Sequence, residues 1–146
     1  MELMIKLLRQ GAKAPTRATA GSAGYDLYAC LEKPLCIAPG EVVGVPTGFA
    51  MALPDSGCVG LVYARSGLAI KHGLVPQNCV GVIDSDYRGE VLVALRNQSA
   101  AAYTVAPGER IAQLVIAPVL LPEIVPTDCL PDTDRGDGGF GSTGRK

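Results

Sequence analysis

The chain has 146 residues, of which 48% are hydrophobic and 18% are charged, a composition typical of one soluble globular domain and unlike that of a disordered chain. Its 18 glycines and 11 prolines disfavour helix interiors, so they exclude a bundle of long helices and favour an all-β fold. The formal net charge of −1 provides no basic field for a phosphate polymer, which argues against nucleic acid as a ligand.

Short apolar and β-branched runs, each closely followed by Pro, Gly, Asn or Asp, predict antiparallel strands at 41–45, 48–53, 58–63, 91–95 and 111–117. Tight turns are predicted at 39–40 and 107–109, because proline presets φ and glycine accepts a positive φ beside it. One short helix is predicted at 66–71. Glycine-rich, apolar-poor sequence from Pro131 onward predicts a flexible tail, so we expect a β domain over 1–130 and a tail over 131–146.

The sequence carries no sign of a membrane span or a targeting signal. The longest apolar run, at 114–121, contains Pro118 and is far shorter than the roughly 18 residues of a spanning helix. Residues 1–6 lack the basic region and long apolar stretch of a secretory signal. We therefore expect no membrane partner and a cytoplasmic location, or a nuclear or host-cell one if the source is eukaryotic or viral.

Cysteine and histidine usage argues against a disulfide framework and a zinc site. The five cysteines are an odd number without a Cys-x-x-Cys pair, and His72 has no cysteine nearby. The cysteines are therefore expected to be small core residues. His72 is expected to be structural or at the surface, because nothing identifies the orienting acid of a Ser–His–carboxylate relay. The cysteines are Cys30, Cys36, Cys58, Cys79 and Cys129.

Residues 82–90 carry a pattern that suggests chemistry. Asp84 and Asp86 stand two residues apart between strand-like flanks, so an extended backbone would point both carboxylates to one side. The alternative is a hairpin turn, in which aspartate bonds to nearby backbone groups. Tyr87 and Arg88 follow directly, and they offer an aromatic face and a cation to a nucleotide or sugar phosphate.

Residues 63–68 are a candidate anion site. Arg65, Ser66 and Gly67 place a guanidinium, a hydroxyl and a permissive glycine where a strand is predicted to enter a turn. The alternative is that Ser66 is an N-cap and Arg65 a solvated charge. Asp26 and Gln113 lie in strand patterns that assign them no role by themselves.

The tail at 136–144 has five glycines in nine residues, which suits either disorder or backbone contacts to a phosphate. It is not a P-loop, since the Gly-Lys-Ser/Thr ending is absent. Phe140 has no core to enter there, so a stacking role is indicated.

Five segments in chain order resemble the five motifs of the trimeric dUTPases, the deoxyuridine triphosphate nucleotidohydrolases. They are AGYDL at 23–27, ARSGL at 64–68, GVIDSDYRG at 81–89, GERIAQL at 108–114 and RGDGGFGSTG at 135–144. The resemblance implies a jelly-roll-like β-barrel or sandwich, assembled as a homotrimer with sites at subunit interfaces, each closed by a neighbour's C-terminal tail. It also implies Mg²⁺-assisted hydrolysis of dUTP to dUMP and pyrophosphate, which keeps uracil out of DNA and supplies dUMP for thymidylate synthesis.

The same resemblance implies roles for individual residues. Asp84 would orient and deprotonate the water that attacks the α-phosphorus, and Gln113 would help to place that water. Tyr87 would lie against the deoxyribose and leave no room for a 2′-hydroxyl. The uracil edge would be bound by the backbone of Val82 and Ile83, together with Asn78.

The implied phosphate, metal and tail contacts complete this site. Arg65, Ser66 and Gly67 would hold the phosphates, and Asp26 would act on Mg²⁺ through its water ligands. From the tail, Arg135 would pair with phosphate and Phe140 would cap the uracil. Donors to the γ-phosphate end would come from Gly141, Ser142 and Thr143.

Three other functions are compatible with such a fold. A dCTP deaminase would direct water at a ring carbon, and it would not present the 84–89 hairpin with its tyrosine. A dUTP-responsive binding protein would carry a large insertion between motifs, and none is obvious. A purely structural module would have no use for a glycine-rich tail with one phenylalanine.

Overall fold

The computed structural model describes residues 1–139, and within them the chain forms strands joined by turns and one short helix. The first strands are β1 (Met4–Leu7), β2 (Tyr25–Tyr28), β3 (Leu35–Ile37), β4 (Val42–Pro46), β5 (Phe49–Ala52) and β6 (Cys58–Tyr63). After the helix α1 (Ser66–His72) come β7 (Leu74–Pro76), β8 (Gly81–Ile83), β9 (Leu92–Asn97), β10 (Tyr103–Val105) and β11 (Arg110–Pro118). The predicted strands and helix are all present, with small shifts at their ends.

The strands pair antiparallel in four small sheets, so the predicted all-β, jelly-roll-like class is confirmed. The largest sheet has the order β2-β11-β6-β8, and a second has the order β4-β9-β7. Strands β1 and β5 form a pair, as do β10 and β3. The shorter strands β1, β3, β7, β8 and β10 were not delimited by the sequence pattern, because three or four residues carry too little alternation.

The core lies between the inner faces of these sheets. Strand β9 alternates exposed and buried positions along its length, which places Val93, Leu95 and Asn97 inward. Phe49, Leu27 and other fully buried side chains from several strands meet there. Strand β9 therefore contributes to the core by period-two patterning.

Asn97 is a fully buried polar residue whose amide is satisfied on every side. Its Nδ2 donates to the Ile37 carbonyl at 3.0 Å and the Ala101 carbonyl at 2.8 Å, while its Oδ1 accepts from the Ser99 amide at 2.9 Å. These bonds tie β9 to β3 and to the following loop, and they offset the cost of burying an amide.

Helix α1 follows Arg65, which occupies the N-cap position without a side-chain capping bond. Ser66 is the first helical residue, so the N-cap alternative for Ser66 is wrong. Gly73 ends the helix and donates its backbone N–H to the Ala69 carbonyl at 3.1 Å. The predicted turns before β4 and β11 are present, with Gly40 and Gly108 at positive φ.

Cysteine placement corrects one expectation. Cys30 and Cys58 are buried, whereas Cys36, Cys79 and Cys129 are exposed. Cys36 lies on the outward face of β3, Cys79 in the turn after β7, and Cys129 beyond the last strand, so three of the five are not core residues. Burial, with Asp55 nearby, raises the pKa of the Cys58 thiol.

His72 is a surface residue, as expected, and its ring packs against Tyr103 with centroids 4.8 Å apart. Residues 119–139 contain neither helix nor strand. They carry a series of large apolar side chains that are almost fully exposed, namely Leu120, Leu121, Ile124, Val125 and Leu130. Nowhere in residues 1–139 is there a helix with the length and apolar character needed to cross a bilayer.

Candidate active site

The largest sheet brings Asp26 and Gln113 side by side. Gln113 on β11 pairs with Asp26 on β2 in one direction and with Tyr63 on β6 in the other. Because directly paired residues point to the same face of a sheet, these side chains share a face. The register of β11 shifts between Arg110 and Ala112, a bulge-like irregularity of the kind that redirects side chains.

Asp26 is bound by two guanidinium groups. Nε of Arg65 donates to Oδ1 at 2.8 Å, and Nη1 of Arg110 donates to Oδ2 at 3.0 Å. The Asp26 side chain is only 14% exposed, so these charge-assisted bonds are partly shielded from water. Two cations beside one carboxylate leave a net positive charge. Arg110 was missed by the sequence reasoning, although it lies in the same motif as Gln113.

A cavity of about 370 Å³, here called the basic cavity, opens beside this ion pair. Its walls include Asp26, Arg65, Ser66, Gly67 and Gln113. A Cβ atom built on Gly67 would meet nothing within 4 Å, so the space above its backbone is open. A polar cavity with surplus positive charge suits a phosphate chain.

The Gln113 amide is fixed by two contacts. Its Nε2 donates to the Ala64 carbonyl at 2.9 Å. A Cβ atom on Gly24 would lie 2.4 Å from Gln113 Oε1, so the amide occupies space that only glycine leaves open. Gly24 was not singled out from the sequence, because its role depends on a contact across the sheet.

A second cavity of about 250 Å³, here called the hairpin cavity, is lined by Asn78, Val82, Ile83, Asp84 and Tyr87, among others. Strand β8 lines this cavity. It lies at the edge of its sheet and pairs with β6 only. An edge strand presents backbone N–H and C=O groups without ladder partners. A planar ring with donors and acceptors on its edge can bind to such groups.

Asn78 reaches this cavity from the turn between β7 and β8. A Cβ atom on Gly81 would lie 3.5 Å from Asn78 Nδ2, so the amide lies over that glycine. Cys79 follows with a φ of 61°, and it is the one non-glycine residue with positive φ in the part of the chain that the structure describes. The turn is closed by the Cys79 N–H, which donates to the Pro76 carbonyl at 3.1 Å.

Residues 84–87 form a turn, in which the Tyr87 N–H donates to the Asp84 carbonyl at 3.2 Å. The extended interpretation of Asp84 and Asp86 is therefore wrong. The alternative is right in placing a turn here, but the turn does not join a hairpin, because the flanking strands β8 and β9 belong to different sheets. Arg88 donates from Nη1 to the Ser85 and Tyr87 carbonyls and lines a different groove. Its cation braces the turn and does not line the hairpin cavity.

Several predicted site residues are not brought together within one chain. The basic and hairpin cavities share no lining residue. Arg135 lines neither of them, and its Nε donates to the Gly138 carbonyl at 2.9 Å. The predicted tail residues Phe140, Gly141, Ser142 and Thr143 lie outside the described residues.

The residues present fit a metal ion only through water. Residues 1–139 contain no cluster of three or more His, Cys, Asp or Glu side chains that could hold a metal directly. Each oxygen of Asp26 accepts one guanidinium bond, but a carboxylate has about four lone-pair sites, so it can still accept from metal-bound waters. Mg²⁺ retains several waters and is commonly carried on substrate phosphates, which suits this arrangement.

Comparison with known proteins places this geometry in a family. A dUTPase family model matches residues 10–144. The deoxyuridine 5′-triphosphate nucleotidohydrolase of Desulfitobacterium hafniense is 54% identical over 132 residues, covering 90% of this chain and 87% of that protein. The protein of the same name from Burkholderia cenocepacia is 49% identical over 147 residues and covers 99% of both.

Solved structures give the same result. A mutant dUTPase of Staphylococcus bacteriophage 80alpha with dUpNHpp has a TM-score of 0.89 at 30% identity and covers 98% of both chains. A mutant dUTPase of phage phi11 of S. aureus, described with a structural Mg(II) ion, has a TM-score of 0.81 at 26% identity and covers 90% of this chain and 100% of that one. The chain is therefore a member of the dUTPase family.

Proposed function

We propose that the protein is a dUTP diphosphatase that hydrolyses dUTP to dUMP and pyrophosphate. The observation that carries the proposal is a pair of complementary cavities: the hairpin cavity has a free strand edge, a carboxylate and an aromatic ring, while the basic cavity holds two guanidinium groups. Family membership supplies the substrate, because the relatives are named for dUTP and one is solved with a dUTP analogue.

The uracil ring binds in the hairpin cavity. The outward edge of β8, at Val82 and Ile83, supplies backbone groups to its polar edge, and the Asn78 amide adds to them. Tyr87 lies against the deoxyribose, and its ring leaves no space for a 2′-hydroxyl. Steric exclusion of this kind discriminates more strongly than the mere lack of a favourable contact.

The triphosphate binds in the basic cavity, where Arg65, Ser66 and Gly67 hold its oxygens. Asp84 is the general base that orients and deprotonates the attacking water, because a carboxylate on a braced turn can be held within hydrogen-bond reach of it. The Gln113 amide, fixed by its bond to Ala64, helps to place the same water. The water attacks the α-phosphorus, and pyrophosphate leaves.

Asp26 would hold Mg²⁺ from the outer sphere, through the ion's water ligands. When bound, Mg²⁺ neutralises charge on the triphosphate. Arg65 and Arg110 hold the Asp26 carboxylate in place for these waters. The prediction for metal removal is loss of turnover in excess chelator without loss of fold, since no metal ligand cluster contributes to the core of residues 1–139.

The complete site is formed in a homotrimer. Two observations support this: the cavities share no lining residue, and large apolar side chains are exposed on α1, β9 and residues 119–139. Exposed large apolar side chains are a feature of subunit interfaces. The tail of a neighbouring copy then closes the site with Arg135, Phe140, Gly141, Ser142 and Thr143, which excludes water and strengthens polar contacts.

The test measures pyrophosphate release from dUTP, UTP, dTTP and dCTP, with Mg²⁺ and with excess chelator. Asp84→Asn is the inactive variant, and Asp86→Asn is its matched control, since Asp86 lines neither cavity. We expect selective dUTP turnover in the wild type and in Asp86→Asn, and its loss in Asp84→Asn. No dUTP turnover by folded wild type, or ammonia release from dCTP, would overturn the proposal.

Deletion of the chain after Pro131 tests the tail separately. We expect the truncated protein to remain a trimer by light scattering and to lose most of its turnover. Full turnover by the truncated protein would refute the role of the tail while leaving the rest of the mechanism in place.

A further inference from the structure

We infer that Glu90 and Arg9 are positioning residues that fix the Tyr87 ring and thereby set the discrimination between dUTP and UTP. This inference rests on the proposed function and assigns two residues outside the recognised motif contacts. The ring folds back over its own turn.

The Tyr87 hydroxyl donates to the Glu90 backbone carbonyl at 3.0 Å. A Cβ atom built on Gly89 would lie 2.3 Å from that hydroxyl oxygen and 2.6 Å from the ring carbon that bears it. The ring therefore rests on the bare backbone of Gly89. Its position is fixed by the hydroxyl bond at one end and by this close packing along its edge.

The carbonyl that receives the hydroxyl is held by the side chain of the same residue. Oε1 of Glu90 accepts the Gly48 N–H at 2.8 Å, and Oε2 is paired with the Arg9 guanidinium. The Glu90 side chain is 18% exposed, against 48% for Arg9, so the carboxylate is the sheltered member of the pair. Both carboxylate oxygens are thus engaged by groups from outside the turn.

The group that holds Oε1 of Glu90 belongs to a closely packed part of the fold. Gly48 lies between β4 and β5, and a Cβ atom there would be 2.6 Å from the Cβ of Ala12 and 2.7 Å from Sγ of Cys30. The backbone beside Glu90 is also bonded, because the Val91 N–H donates to the Phe49 carbonyl at 2.9 Å. The exposed turn at 84–90 is therefore attached to the core through Glu90.

These contacts define what Arg9 and Glu90 do. If Tyr87 excludes a 2′-hydroxyl by occupying its space, discrimination depends on how firmly the ring stays there. A ring that can move by a fraction of an ångström admits UTP. Arg9 lines neither cavity, whereas Glu90 lines the hairpin cavity beside Tyr87. Arg9 therefore acts on the ring only through Glu90 and the bond from the Tyr87 hydroxyl to the Glu90 carbonyl.

The experiment compares kcat/KM for dUTP with kcat/KM for UTP in the full-length protein. The variants are Arg9→Met, Glu90→Gln, Tyr87→Phe and the double variant Arg9→Met with Tyr87→Phe. Lys33→Met is the control for removal of an exposed positive charge, since Lys33 lines neither cavity. Thermal unfolding of each variant is measured alongside, and Glu90→Gln retains an acceptor for the Gly48 N–H, so the local fold is preserved.

We expect Tyr87→Phe to lower the dUTP/UTP ratio about five-fold, the effect of one lost hydrogen bond. Arg9→Met and Glu90→Gln are expected to lower it about two- to five-fold, through a higher kcat/KM for UTP. Arg9→Met should have no further effect on the ratio when Tyr87→Phe is already present, because the path from Arg9 to the ring has been cut. Lys33→Met should leave the ratio unchanged.

An unchanged ratio in both Arg9→Met and Glu90→Gln would overturn the inference, as would an equal effect of Arg9→Met with and without the Tyr87 hydroxyl. A merely structural role would lower both activities together and leave the ratio constant. Failure of the wild type to hydrolyse dUTP would refute the proposed function itself, so the two failures are distinguishable.

Discussion

Substitution of Gly24 by alanine tests whether the orientation of Gln113 matters for turnover. The new Cβ atom would lie 2.4 Å from Gln113 Oε1, and ordinary contact begins at 3.4 Å, so the amide must retreat by 3.4 − 2.4 = 1.0 Å. The Gln113 Cβ, 3.3 Å away, is bonded directly to the β11 backbone, so it cannot move away freely with the amide. Loss of the bond from Nε2 to Ala64 follows and costs about 1 kcal/mol of stability.

The effect on catalysis is expected to exceed the effect on folding. A displacement of about 1 Å in a group that positions reactants can cost up to about 100-fold in rate, so we expect kcat for dUTP to fall about 10- to 100-fold with little change in KM. The assay is pyrophosphate release at saturating dUTP, together with urea unfolding. Gly21→Ala is the matched control, since a Cβ atom there meets nothing within 4 Å. A kcat for Gly24→Ala within two-fold of the control would refute the argument.

The remaining predictions concern affinity, pH and stability. Gly67→Ala should raise helix stability by up to about 1 kcal/mol in urea unfolding. The same change should raise KM for dUTP, because the new Cβ enters the basic cavity. An unchanged KM would refute the binding of phosphate beside Gly67. Burial and the hydrogen bond to Glu109 raise the pKa of Tyr103 from 10.0 to about 12. The folded state thus retains the Tyr103 proton to a higher pH than the unfolded state does. The stabilising contribution of Tyr103 is therefore complete below about pH 10 and is lost as pH rises through about 12. Tyr103→Phe should make the unfolding free energy less dependent on pH between about pH 10 and 12. An equal pH dependence in both proteins would contradict this assignment. Asn97→Ala should destabilise the fold by about 2–4 kcal/mol, because it leaves the Ile37 and Ala101 carbonyls without their donor. A loss below about 1 kcal/mol in urea unfolding would show that water replaces the amide.

The fold was largely predictable because its signals are local. Strand β6, for example, is a continuous apolar run of six residues, and the predicted range 58–63 matches it fully. The turns before β4 and β11 followed from adjacent proline and glycine. Strands β3 and β10 were not predicted because three residues hold less than two periods of alternation. Their pairing with each other is a tertiary contact that no local pattern shows.

For the candidate site, the motifs predict a set of residues but not their geometry. The five motifs identified Asp26, Arg65 and Gln113, and the structure places all three around one cavity. No local pattern could show that Arg110 completes the ion pair, since that contact spans 84 positions of sequence. Glu90 was missed for the same reason, because its partners Gly48 and Arg9 lie 42 and 81 positions away in the sequence.

Strand β6 has a consequence for how this chain tolerates length changes. It pairs with β8 through Leu61 and Val82 and with β11 through Tyr63 and Gln113, so a single six-residue segment sets the spacing of both cavities. An inserted or deleted residue within β6 would turn every later side chain of the strand to the opposite face. It would disturb the pairing with β8 and the pairing with β11 at the same time. The exposed connection at 32–34 touches neither cavity and is where a tag or a short peptide can be inserted without that cost.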